Sequence, residues 1–147
     1  MRYTKEELNL VFEDALIYQV RFFDQHYVLT TEAYLIGEGL TAYHQHLGRI
    51  MGVDVNDLYE LHTFDCEDFA IGYRQFLVMM HRRYHQGMRA GLAVGFGVHR
   101  NLHHALNLAI VLREGALCVR IYEPQPTGGV IDVSDTMYYS GFSWVLL

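Results

Sequence analysis

The chain is short of the residues that build extracellular scaffolds, linkers and membrane spans. Its 147 residues include two cysteines, Cys66 and Cys118, too few for a disulfide framework. Both prolines, Pro124 and Pro126, fall in one place, and no Pro/Gly/Ser-rich stretch separates one part of the chain from another. Charged residues make up 19%, and 17 acids against 11 bases give a net charge of −6. Without a basic surface to displace counterions, nucleic acid is excluded as a non-specific partner. No apolar run approaches the roughly 18–20 residues of a membrane helix. The opening MRYTKEELNLVFED has no basic segment followed by an apolar one, as a secretory signal would. The expectation is a cytoplasmic, membrane-free protein whose thiols are reduced.

What the chain has is apolar and aromatic. Hydrophobic residues reach 51%, which excludes disorder, and 11 Tyr with 8 Phe point to an aromatic core. The length suits a single domain over 1–147. Within it, residues 1–60 read as a helical part, 61–125 as the part that carries the chemistry, and 126–147 as closing strands. Helical periods come first and strand periods second, so the predicted class is α+β: a helical half packed on an antiparallel sheet.

Thr4 and Glu7 form a capping box ahead of Leu8, Val11, Phe12, Ala15 and Leu16, which predicts a helix to about Phe23. Thr30 or Thr31 starts a second helix to about Ile50, interrupted in pattern by Gly37 and Gly39, and Asp54 caps a short one over Val55 to Leu61. Asp65 and Asp68 cap the clearest helix, with Phe69, Tyr73, Phe76, Leu77 and Met80 as its apolar stripe, from Cys66 to about His85. After Gly87 the period becomes two. Strands are predicted over 91–98, 104–112, 117–123, 130–133 and 142–146, with a tight turn at Glu114-Gly115.

Three residues stand out by placement: Cys66, His104 and Glu123. Cys66 opens a helix, where unpaired N–H groups and the helix dipole favour a thiolate. Against this, Asp65, Glu67 and Asp68 surround the thiol with like charge. Three carboxylates beside one thiol also raise the expectation of calcium at Asp65, Glu67 and Asp68, with no cofactor otherwise required. By strand alternation His104 shares a face with Leu106, Leu108 and Ile110, and Glu123 with Leu117, Val119 and Ile121. If the bulky face meets the helix layer, both point toward the Cys66 helix, and a turn at Gly115 makes them near cross-strand neighbours. His103 then faces the other way. Cys118 reads as packing, and the His44/His46 and His81/His85 pairs lack a complete zinc motif.

The segments FDCEDFAIGYRQFL and HHALNLAIVLREGALCVRIYEP resemble the core of transglutaminase-like and papain-like cysteine peptidases. There a Cys opens a helix, a His-Ala starts one strand and an acid followed by Pro ends the next. Glu in place of the more usual Asp is similar to the protease domain of a calcium-dependent fungal agglutinin. The resemblance implies a papain-like fold and a cysteine peptidase or amidase acting on a peptide or protein substrate. Cys66 would be the nucleophile, His104 the base and Glu123 the orienting acid. It also implies an oxyanion-hole glutamine, for which Gln45 and Gln25 are candidates, with His103 and Gln125 as possible substrate contacts. The other reading is a non-catalytic binding or structural module that keeps the fold without turnover.

Overall fold

The computed structural model describes residues 1–60, 64–85, 87, 89–126, 130–131, 139 and 141–147. Thr4 opens α1 (Lys5–Asp14) with the predicted capping box: its hydroxyl accepts the Glu7 N–H at 3.2 Å and its own N–H donates to the Glu7 carboxylate at 2.7 Å. The helix ends well before Phe23, because Leu16 turns into the left-handed region at φ 62. The chain then runs extended through β2 (Val20–Arg21) and β3 (His26–Val28), the latter paired with β1 (Tyr3–Thr4). Thr31 caps α2 (Glu32–Ile36) by accepting the Tyr34 N–H at 3.2 Å. Gly37 breaks the expected single helix, and α3 (Glu38–Met51) follows. α4 (Val55–Glu60) and α5 (Cys66–Tyr84) lie where the sequence puts them, although Leu61 is outside the described residues.

The strands are less uniform than predicted. The segment beginning at Gly91 splits into β4 (Gly91–Leu92), which pairs in parallel with β3, and β5 (Val94–His99), which joins a different sheet. β6 (His104–Arg113) and β7 (Ala116–Tyr122) form a hairpin whose two turn residues, Glu114 and Gly115, both have positive φ, 50 and 81. That geometry matches the twist of the flanking strands and is easiest with glycine at the second position. β8 (Val130–Ile131) and β9 (Phe142–Leu146) complete the set; Val133, predicted in the first of these, is outside the described residues. Among the described residues the main sheet runs β2-β9-β5-β6-β7-β8 and the small one β1-β3-β4. The class is α+β as expected. The sheets are mixed rather than antiparallel, since β2 joins β9 in parallel and β3 joins β4 in parallel.

Both faces of the main sheet are covered. Leu106, Leu108, Ile110, Val119 and Ile121 pack against Leu8 and Phe12 of α1. Ala109, Val111 and Tyr122 pack on the opposite side, against Tyr43 of α3 and Phe69, Tyr73 and Leu77 of α5. This reverses the assumption that α5 sits on the bulky row. A helix approaches closely where side chains are small, and Ala105, Asn107 and Ala109 supply that row. Asn107, 1% exposed, bridges the layers by donating to the Ala70 carbonyl of α5 at 2.8 Å and the Gly95 carbonyl of β5 at 3.1 Å. Among the described residues no helix is long and apolar enough to cross a membrane.

Candidate functional site

The first turn of α5 is set by reciprocal capping. Asp65 accepts the Asp68 N–H at 3.3 Å, and Asp68 accepts the Asp65 N–H at 3.2 Å. The Asp68 N–H foremost, and the Glu67 side chain after it, hold the Asp65 carboxyl below its ordinary pKa. Two of the three acids that raised the calcium expectation are therefore engaged in the cap. Among the described residues no three His, Cys, Asp or Glu side chains gather as a metal site would require.

Cys66 itself is half-buried. Its thiol donates to Glu67 Oε2 at 3.7 Å, and the Ala105 N–H, at the start of β6, lies near enough to the sulfur to act on its pKa. Burial pushes the thiol pKa up, and the charges of Glu67 and Asp65 push the same way; the Ala105 N–H opposes them without prevailing. Burial and the neighbouring acids thus work against thiolate formation at this helix start. Among the described residues no hydrogen bond joins this sulfur to His104.

His104 and Glu123 do come together: the imidazole Nε2 donates to Glu123 Oε2, and the Gln125 N–H donates to Glu123 Oε1 at 3.2 Å. The register explains this. Asn107 lies opposite Tyr122, so along the same row Glu123 and His104 are diagonal neighbours at the end of the hairpin. The Glu123 bond raises the His104 pKa, burial opposes it, and the charges of Glu123 and Glu67 add to the rise. The imidazole should therefore titrate above the ordinary value of about 6.5 in a carbon-detected NMR titration. Glu123→Gln should bring the midpoint down, because burial then meets less opposition. The sign for stability follows: the pair stabilises the fold fully below the unfolded histidine pKa, and this contribution fades as pH rises through the higher folded value. A wild-type midpoint at or below that of Glu123→Gln would refute the pairing.

The remaining candidates separate. His103 is exposed in the left-handed region at φ 47, and Gln45 and Gln25 are exposed. The Gln25 carbonyl accepts the Lys5 N–H at 3.1 Å, on a different part of the chain. Sequence reasoning missed His44, whose Nε2 donates to the Pro124 carbonyl at 2.7 Å and so ties α3 to the segment just past Glu123. It also missed the Ala105 N–H. Neither carries a sequence signal: one pairing spans most of the chain, and the other is a backbone group.

No protein-family model and no curated protein sequence matches the chain. Several solved structures share its fold, two of which follow. One is described as "PSL1a-E64 complex", with a TM-score of 0.69 at 16% identity, covering 99% of this chain and 50% of that one. The other is a Polyporus squamosus lectin bound to the human-type influenza-binding epitope Neu5Aca2-6Galb1-4GlcNAc, with a TM-score of 0.66 at 18% identity, covering 99% and 49%. The chain spans about half the length of these structures. At such identities the likeness is one of fold.

That finding corrects the resemblance drawn from the short motifs. One of these fold neighbours is a lectin, so the reading of a thiol protease with a Cys-His-Glu catalytic triad and a peptide substrate is withdrawn, and a papain-like core is not confirmed. The local geometry agrees, since the thiol donates to a carboxylate and, among the described residues, no hydrogen bond links it to His104. The motif matched residue types at a helix start and two strand ends, and these features recur wherever an αβ core is capped and closed by polar residues.

Proposed function

We propose that the chain is a non-catalytic binding module, with its ligand contacts in the notch where the start of α5 meets the ends of β6 and β7. The observation that carries this reading is that the Cys66 thiol donates to Glu67 Oε2, while the His104 Nε2 donates to Glu123 and not toward the sulfur. The notch joins acceptor carboxylates from Glu67 and Glu123 to donors from His104 and the Ala105 N–H. A mixed set of this kind suits hydroxyl groups, each of which donates and accepts. A polyhydroxyl ligand of the glycan class fits it better than an anion, because the local acids dominate the charge. The fold likeness to a lectin chain supports the same class.

The test has two arms. At pH 7, iodoacetamide should alkylate Cys66 no faster than Cys118, whose thiol pKa is likewise raised by burial. A neutral disaccharide such as N-acetyllactosamine, at millimolar concentration, should shift the NMR signals of the His104 ring and the Ala105 amide, and Glu123→Gln should abolish those shifts. Cys66 alkylation at least tenfold faster than that of Cys118, and slowed by His104→Ala, would restore a nucleophile and end this reading. Absence of any shift with the disaccharide would remove the glycan class.

A further inference from the structure

The far end of α5 carries a histidine pair that the notch does not use. His81 lies in the last turn of the helix and His85 is its cap residue. The His85 N–H still donates to the His81 carbonyl at 2.9 Å, so the two residues keep helical register and leave the same face. Their ring centroids are 4.9 Å apart. Two imidazoles bound to one ion through bonds of about 2.1 Å, at a right or a tetrahedral angle, place their centroids about 4.6–5.3 Å apart. The pair therefore already stands at the spacing of a chelate.

The surroundings of His81 prepare it as a ligand. The residue is half-buried, and burial lowers its pKa, so the ring keeps a lone pair at neutral pH. The Ala90 backbone, just ahead of β4, lies near enough to the ring to raise its pKa in opposition. A backbone group does this through its carbonyl, facing a ring N–H. One nitrogen is thereby committed as a donor and the other is left as an acceptor, the arrangement that orients metal-bound histidines. His85 is exposed and can adjust its ring without disturbing the core. Both rings border a cavity of about 840 Å³ between α5, α3 and the small sheet, from which water can reach an ion held there. Arg82 opposes a cation, but it is exposed and its charge is screened by solvent.

We infer that His81 and His85 form a two-histidine chelate for a divalent transition-metal ion of the zinc class, with water in its other positions. Imidazole nitrogen suits zinc, nickel and copper, whereas calcium and magnesium require oxygen ligands. Among the described residues no third His, Cys, Asp or Glu joins the pair. The site is thus open and exchangeable, unlike the closed four-ligand sites on which a fold depends.

The experiment is an NMR titration of the histidine rings of the whole chain with zinc chloride in a non-coordinating buffer, with calcium chloride as the oxygen-seeking control. The His81 and His85 ring signals should shift together along one binding curve with Zn²⁺, and neither should move with Ca²⁺. His85→Ala should weaken the response of His81 to Zn²⁺ at least tenfold, because a chelate needs both rings. His81→Ala should do the same to His85; if that half-buried variant does not fold, the exposed His85→Ala still decides. Two separate single-histidine contacts would instead leave the remaining ring with its affinity intact in each variant. Separate binding curves for the two rings, a loss under threefold in His85→Ala, an equal response to Ca²⁺, or no shift of either ring with Zn²⁺ in tenfold excess over protein would overturn the inference.

Discussion

Gly95→Val should destabilise the protein by about 3 kcal/mol or more, as overpacking against immovable atoms does at its upper end. A Cβ at Gly95 would press on the Leu146 carbonyl oxygen and stand 3.0 Å from its carbon, with Leu147 Cδ1 at 3.1 Å. Leu146 belongs to β9, which pairs with β5, so the obstruction is backbone and has no rotamer by which to yield. Gly95 also supplies a carbonyl to Asn107, so displacing it disturbs the link from β6 to α5. Urea unfolding followed by circular dichroism measures the effect. Gly48→Ala is the matched control: it lies inside α3, and its Cβ would meet only the Val53 carbonyl at an ordinary 3.4 Å. Helix propensity there should raise stability by about 0.5–1 kcal/mol. A valine at Gly95 that costs under 1 kcal/mol would show that β5 and β9 do not approach as described.

The second large effect concerns Phe69. It is fully buried one turn into α5, packs edge-on against Phe64 with ring centroids 4.8 Å apart, and its carbonyl accepts the Tyr43 hydroxyl at 3.2 Å. Truncation to alanine removes a fully buried ring from the cluster that joins α3 and α5 and leaves a cavity there. Phe69→Ala should therefore cost about 3–5 kcal/mol, the range for buried aromatics. The loss should also reach the notch, because the same turn carries Cys66 and Glu67. Amide exchange in the first two turns of α5 should quicken more than exchange in β6 and β7. A loss below about 1 kcal/mol, or uniform quickening, would show that Phe69 does not anchor the helix start.

Much of the local structure was readable in the chain. The capping boxes at Thr4 and Asp65, the cap at Thr31 and the turn at Glu114-Gly115 depend on residues within a few positions of one another, and all appear where their patterns place them. The proximity of His104 and Glu123 was legible for the same reason, since a two-residue turn fixes hairpin register. Errors arose where distant segments decide. The diversion of Val20–Arg21 into a parallel pair with β9 depends on a partner at the far end of the chain. Likewise the Gly91 segment divides because β3 takes its first two residues while β6 takes the rest.

The site shows the same division more sharply. Sequence by itself determined that a thiol opens a helix, that acids surround it, and that a His–Glu pair ends a hairpin; each is a matter of local spacing. Only the tertiary structure decided which face of the sheet α5 covers. It chose the small row of Ala105, Asn107 and Ala109, because close packing of a helix rewards small side chains and Asn107 can hydrogen-bond across the gap. That choice brings the Ala105 N–H to the sulfur and leaves the thiol with Glu67. The upward push on the Cys66 thiol pKa comes from burial foremost and from neighbouring charge, and the extent of burial is a property of the folded surroundings, not of the residue's position in the chain.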